Sequence, residues 1–163
     1  MFLIQDQREK HNKHNNIENY CKEIGLLIVR KRLNVGDYRL ANYDENGGIV
    51  FLNNIAVDVK GGGLLELAND LYRDKKQFNK KYKKCYFDKV NLIILIEENN
   101  IKTIKDVLIW RDGKTDINGR FLYQLIQDIK ISYGVKFFVC RKKSVGSVLI
   151  NLLKGIEQEL VKI

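Results

Sequence analysis

The chain has 163 residues, 45% of them hydrophobic and 30% charged with both signs, which is one domain's worth of foldable rather than disordered sequence. No apolar run approaches the ~18 residues a bilayer span needs. The opening Met1-Phe2-Leu3-Ile4 meets Asp6 and Glu9 at once, unlike a secretory signal, and three scattered cysteines with two histidines offer no tetrahedral zinc set. These features predict a reduced, cytoplasmic protein with no membrane contact, and the net charge of +9 predicts a polyanionic partner, of which nucleic acid is the commonest.

Residues 2–4 read as a strand ended by the polar stretch 5–10. Ile17, Tyr20, Cys21 and Ile24 recur at helical spacing, and Gly25 supplies a stop. Residues 26–29 and 35–40 read as strands, 42–48 as a turn, and 49–52 and 55–59 as two further strands around Asn53-Asn54. Gly61-Gly62-Gly63 closes this β-rich part. A single helix is predicted over 64–84, with Leu64, Leu67, Leu71, Phe78 and Tyr82 as its buried stripe.

The unbroken apolar run 90–96 has the β-branched bias of a central strand covered on both faces. Residues 101–110 fit no single period. A helix over 118–132, a strand over 135–140 and a final helix over 144–160 complete the chain. Strands first, then alternating helices and strands, predict one α/β domain over residues 1–163, with a central mixed β-sheet flanked by helices.

The sharpest chemical feature is Val57-Asp58-Val59-Lys60. On a strand Asp58 and Lys60 share a face, where charged groups need partners or an ion. Gly36-Asp37-Tyr38 lies in a strand able to pair nearby. Two carboxylates from adjacent strands suit a hard cation such as Mg²⁺, and a lysine two residues on can orient water or neutralise phosphoryl charge. An Asp-x-Lys triplet by itself is weak, and a solvated strand edge explains it equally well. Arg73, Lys75, Lys76, Lys80, Lys81, Lys83 and Lys84 face the lone acid Asp74 within one segment, an excess that phosphate backbone would neutralise. His11 and His14 read as loop residues, Glu66 as a surface helix residue, and Tyr72, Tyr82 and Tyr86 as packing residues rather than base-stacking platforms. The glycine triplet lacks the Gly-Lys-Ser/Thr of a nucleotide-binding loop.

In order along the chain stand Asp6-Gln7-Arg8-Glu9, Gly36-Asp37-Tyr38, Asp58-Val59-Lys60, Arg73 with Gln77 four residues on, and Leu95-Ile96-Glu97. This series resembles the nuclease domain of the XPF–Hef family of structure-specific endonucleases, in the PD-(D/E)XK superfamily, whose fold is restriction-endonuclease-like. Asp58 stands where that family has Glu, and Val59 where it has Arg. The paired helix-hairpin-helix module and helicase domain of that family have no counterpart here.

The resemblance implies a stand-alone, Mg²⁺-dependent endonuclease (Mn²⁺ substituting) that hydrolyses branched DNA such as flaps, forks or Holliday junctions in recombination, repair or replication. It further implies a homodimer, in the cytoplasm or, for a phage enzyme, the host cytoplasm. Its implied catalytic set is Asp37, Asp58, Lys60, Asp6 and Glu9; its metal set is Asp37, Asp58 and Val59. The resemblance together with the charge concentration at 73–84 predicts DNA contacts at Arg8, Arg73, Lys76, Gln77, Lys80, Lys81 and Lys84. The rival expectation is an inactive nuclease fold that serves as a DNA-binding module or assembly subunit.

Overall fold

The computed structural model describes residues 1–9, 14–111, 113 and 117–157. His11 and the end of the predicted last helix, residues 158–160, lie outside them. Among the described residues seven strands form one mixed sheet: β1 (Phe2–Asp6), β2 (Ile28–Lys31), β3 (Tyr38–Tyr43), β4 (Ile49–Phe51), β5 (Ile55–Lys60), β6 (Asn91–Glu97) and β7 (Lys136–Cys140). Their order is β2-β1-β3-β5-β6-β7, with β4 beside β3. β1 runs parallel to β2 and antiparallel to β3; β5, β6 and β7 are mutually parallel. β3 joins the halves by an antiparallel pairing with β5 at Tyr38↔Val57.

Among the described residues five α-helices cover the sheet: α1 (Asn15–Glu23), α2 (Gly63–Tyr72), α3 (Lys75–Phe87), α4 (Gly119–Tyr133) and α5 (Val145–Leu153). Ala56, Leu92, Ile94 and Ile96 pack under α2, α3 and α4, whereas Val57, Val59, Ile93 and Leu95 pack against α1 and α5. This alternation is the two-residue period of a sheet covered on both faces. It places Asp58 and Lys60 on the α2–α3 side, sharing a face as the sequence predicts.

Four elements depart from expectation. The segment at 34–37 is a bend, so the third strand begins at Tyr38 rather than residue 35. The second strand starts two residues late, because Leu26 N–H donates to the Cys21 carbonyl and prolongs the exit from α1. The predicted helix over 64–84 is two helices broken at Arg73-Asp74. After Leu71 the next in-register positions are Asp74 and Lys75, so no apolar contact carries the first helix onward, and α3 restarts with Gln77 and Phe78 N–H groups on the Asp74 carbonyl. The last helix stops at Leu153, and Gly155, at φ +77°, turns the chain. The ambiguous 101–110 segment contains a 3-10 helix, Ile104–Ile109, opened by a Thr103–Asp106 capping box.

The apolar stripe of α5 is consumed within the chain: Val148, Leu149, Leu152 and Leu153 are buried against the sheet. Gly146 lets α5 meet α1 so closely that a Cβ there would collide with Tyr20. Among the described residues no helix is long and apolar enough to cross a membrane.

Candidate active site where β3 leaves β5

Asp37 sits where the sheet opens. Its N–H donates to the Val57 carbonyl at 2.8 Å, and its carbonyl accepts the Asp6 N–H at 2.7 Å, so its backbone is clamped between β5 and β1. One residue earlier Gly36 has φ +74°, and a Cβ there would come 2.9 Å from that of Ala56. Glycine is required both by that dihedral and by the close pass over β5. Beyond Tyr38↔Val57 the pairing ends, and Val59 N–H donates instead to Asp37 Oδ2 at 2.8 Å.

Asp37 and Asp58 bring their carboxyls within hydrogen-bonding reach of each other at the floor of a cleft of about 500 Å³. Burial and the charge on Asp58 push Asp37 well above the usual carboxylate range. Burial pulls Asp58 the same way, but Lys81 and Lys60 outweigh it and hold Asp58 well below that range.

Lys60 is buried, with Nζ 3.2 Å from Asp58 Oδ2 and 2.8 Å from Asp70 Oδ2. Desolvation opposes its charge, yet the two carboxylates prevail and raise its pKa. Asp70, from the inner side of α2, is a partner the motif reading missed. The available signal was its place four residues after Glu66 on a helix packed over the Asp58 face. Glu66, half-buried on α2, lines the cleft and accepts the Gly62 N–H at 2.7 Å.

The turn after β1 supplies the opposite wall. Asp6 Oδ1 accepts from the Arg8 backbone N–H and Arg8 Nε, and Oδ2 from Arg8 Nη2 and the Leu33 N–H, all at 2.7–2.9 Å. Burial would raise the Asp6 pKa, but these donors lower it. Four donors fill both oxygens, so Asp6 holds the wall in place and has no lone pair left to offer a cation. Arg8 is accordingly engaged bidentately and also donates to the Leu33 carbonyl, although its side chain stays 59% exposed at the cleft rim. Arg30, unremarked in the sequence, donates to the Gln7 and Glu9 carbonyls and shapes the same turn.

Glu9 lines the cleft and reaches His14, with Oε2 3.7 Å from Nε2, and its charge also raises the Asp37 pKa. His14 lies in the turn before α1 and is buried. Its Nδ1 lies 3.3 Å from Glu97 Oε1, and a Cβ on Gly61 would press its ring at 3.0 Å. The glycine triplet thus gives the β5–α2 turn room for His14 behind the cleft.

The predicted DNA contacts divide. Gln77 and Lys81 line the cleft; Arg73, Lys76 and Lys80 are exposed along α2–α3. Lys81 is tied to Asp58 at 2.6 Å, and Lys84 to Asp88 at 2.7 Å, so neither ammonium is unpaired as the charge count implies. Tyr82 is fully buried, as expected, but Tyr72 and Tyr86 are 58% and 62% exposed. Both project where the amphipathic stripe of their helix has ended. Burial pushes the Cys21 and Cys85 thiols up to about 11 and Cys140 to about 12, so none is a ready nucleophile.

Asp37 and Asp58 offer hard oxygen donors side by side, and a divalent cation between them would relieve the repulsion that their split pKa values express. The donor set therefore fits Mg²⁺ or Mn²⁺. Among the described residues no group of three or more His, Cys, Asp or Glu side chains gathers to hold a metal.

No family model matches the sequence, and no curated protein matches it in sequence. Solved structures do match in fold. XPF from Aeropyrum pernix is 17% identical, with a TM-score of 0.65 over 98% of this chain and 67% of that one. The same protein in complex with DNA is 17% identical, with a TM-score of 0.62 over 96% of this chain and 65% of that one. This chain thus spans about two thirds of the length of those structures. Its fold is the α/β, restriction-endonuclease-like fold that the order of its motifs implied.

Proposed function

We propose that the protein is a metal-dependent DNA endonuclease whose cleft forms around Asp37, Asp58 and Lys60. The observation that carries this reading is the buried carboxyl of Asp58 in contact with that of half-buried Asp37 at a strand fork, with a buried lysine on Asp58. Such an arrangement is costly to maintain and suits charge developing on a phosphodiester. Divalent cation chemistry would supply a nucleophilic water at neutral pH and charge neutralisation at the phosphate.

Asp37 and Asp58 hold the cation in this reading. The Val59 carbonyl joins them, since it shares with its N–H the side of β5 that faces Asp37. Lys60, fixed by Asp70, presents its ammonium to the attacking water or the phosphoryl oxygens. Asp6 and Glu9 act through the wall they build: Asp6 positions Arg8, and Glu9 packs on His14. Gln77, Arg73, Lys76 and Lys80 carry the flanking phosphates, and the fold's likeness to a DNA-bound XPF supports that partner. Branched DNA as the preferred substrate, a homodimer, and roles in repair or recombination follow from the family resemblance and belong to the same proposal.

The test is cleavage of labelled flap, fork, four-way-junction and plain duplex DNA in Mg²⁺ or Mn²⁺. Wild type cuts a branched substrate, and Asp58→Asn and Lys60→Met each lose at least about a hundredfold in rate. Cutting that survives both substitutions overturns the site. A second reading, a DNA-binding module without catalysis, is favoured by one observation: Asp58 is already paired with two lysines, and among the described residues no group of three His, Cys, Asp or Glu side chains gathers to hold a metal. Binding of these DNAs with no cutting in either metal would select it.

A further inference from the structure

We propose that Lys81 is an exchangeable counter-ion: it occupies the cation side of Asp58 when no divalent ion is bound, and passes to a substrate phosphate when one binds. This rests on the nuclease reading above and adds a role for a residue outside the motifs.

Asp58 Oδ2 meets two ammoniums, Lys60 at 3.2 Å and Lys81 at 2.6 Å, and they are held differently. Lys60 belongs to β5 itself, has a side chain 6% exposed, and keeps a second carboxylate, Asp70, at 2.8 Å. It stays anchored whatever happens at Asp58. Lys81 reaches in from α3 with a side chain 26% exposed, and Asp58 is its one acidic partner among the described residues. Its Nζ otherwise lies 5.7 Å from the Phe78 ring centre. A divalent cation that took Asp58 Oδ2 would evict the more weakly tethered lysine.

The evicted ammonium cannot go far. Lys81 lines the cleft one helical turn after Gln77, with exposed Lys80 beside it. A phosphate entering the cleft would take up the charge that Asp58 releases. Cation and DNA then assist each other: DNA draws Lys81 off Asp58 and strengthens cation binding, and the cation frees Lys81 for DNA. Linkage requires the two effects to be equal. In the cation-free protein the same lysine keeps a buried carboxylate from standing uncompensated.

The experiment is calorimetric titration of Ca²⁺, as a non-cleaving probe, into wild type, Lys81→Met, Lys81→Arg and Asp58→Asn, with and without a short DNA duplex. Without DNA, Lys81→Met should bind Ca²⁺ about tenfold more tightly than wild type. Duplex should tighten Ca²⁺ binding in wild type and Lys81→Arg and change it little in Lys81→Met. The Ca²⁺-induced rise in Tm gives the same comparison should Lys81→Met be too unstable for calorimetry. Equal or weaker Ca²⁺ binding by Lys81→Met, with Asp58→Asn inert, overturns the counter-ion role and leaves the metal site standing. Asp58→Asn binding Ca²⁺ as wild type does overturns the metal site itself, and this inference with it.

Discussion

Asp37 Oδ2 accepts the Val59 N–H at 2.8 Å, a side chain standing in for the main-chain carbonyl that β3 would have offered had it stayed paired with β5. The contact spans 22 residues of sequence and does two jobs. It satisfies a backbone donor at the point where the sheet splits. It also fixes the Asp37 carboxyl beside that of Asp58, so the opening of the sheet and the assembly of the carboxylate pair are one structural event.

Replacing Asp37 with Asn keeps an acceptor for Val59 and removes the repulsion with Asp58. Because the Asp37 pKa is raised in the folded state, its cost appears as pH climbs above the unfolded value of about 3.8 and grows up to the folded value. Without divalent cation, Asp37→Asn should therefore melt at or above the wild-type temperature at pH 7.5, with the gap closing toward pH 4. Adding Mn²⁺ should reverse the order, since only wild type retains both carboxylates. Thermal melts across pH, with and without Mn²⁺, check it. A wild type more stable than Asp37→Asn at pH 7.5 without cation would contradict the pairing.

Lys60 of the motif pairs with Asp70, which lies outside it, and a double-mutant cycle should expose the pair. Lys60→Met leaves Asp70 and part of Asp58 uncompensated and should cost about 3 kcal/mol or more. Adding Asp70→Asn to that background should cost less than it does in wild type, with a coupling of about 1–3 kcal/mol by urea denaturation. Additive effects would mean that Asp70 does not hold Lys60.

Along α3, Lys76, Lys80 and Lys83 are exposed on the face away from the core. If they touch phosphate, changing all three to Gln should lower the slope of log affinity against log salt by up to about 3 on duplex DNA. The Mn²⁺-dependent rise in Tm should remain. Fluorescence-anisotropy titrations at several salt concentrations measure the slope; an unchanged slope would move the DNA path off this helix.

The parts of this architecture written in local periodicity were legible in the sequence. The two-residue period of β5 placed Asp58 and Lys60 on one face, and Gly36-Asp37-Tyr38 marked the strand that delivers the second carboxyl. The order of the motifs matched the fold. Through-space partners were not legible. Asp70 and Lys81 sit on helices whose rotation about β5 is set by the break at Arg73-Asp74, which the uninterrupted helical reading passed over. The four donors that fill Asp6 come from Arg8 and from Leu33, 27 residues away, so its role as a wall anchor emerges only once β1 and the 33–37 bend are brought together. The burial of His14 was not legible because its neighbours in sequence are polar, while its neighbours in space are Glu9, Glu97 and the turn at Gly61.

The most direct measurement is a crystal structure of the protein soaked in Mn²⁺, read by anomalous scattering. A peak in contact with both the Asp37 and Asp58 carboxylates, with the Lys81 ammonium moved away from Asp58, is the predicted result. Crystals that take up Mn²⁺ elsewhere, or not at all, while Asp37 and Asp58 keep their mutual contact and Lys81 stays in place, would contradict the account.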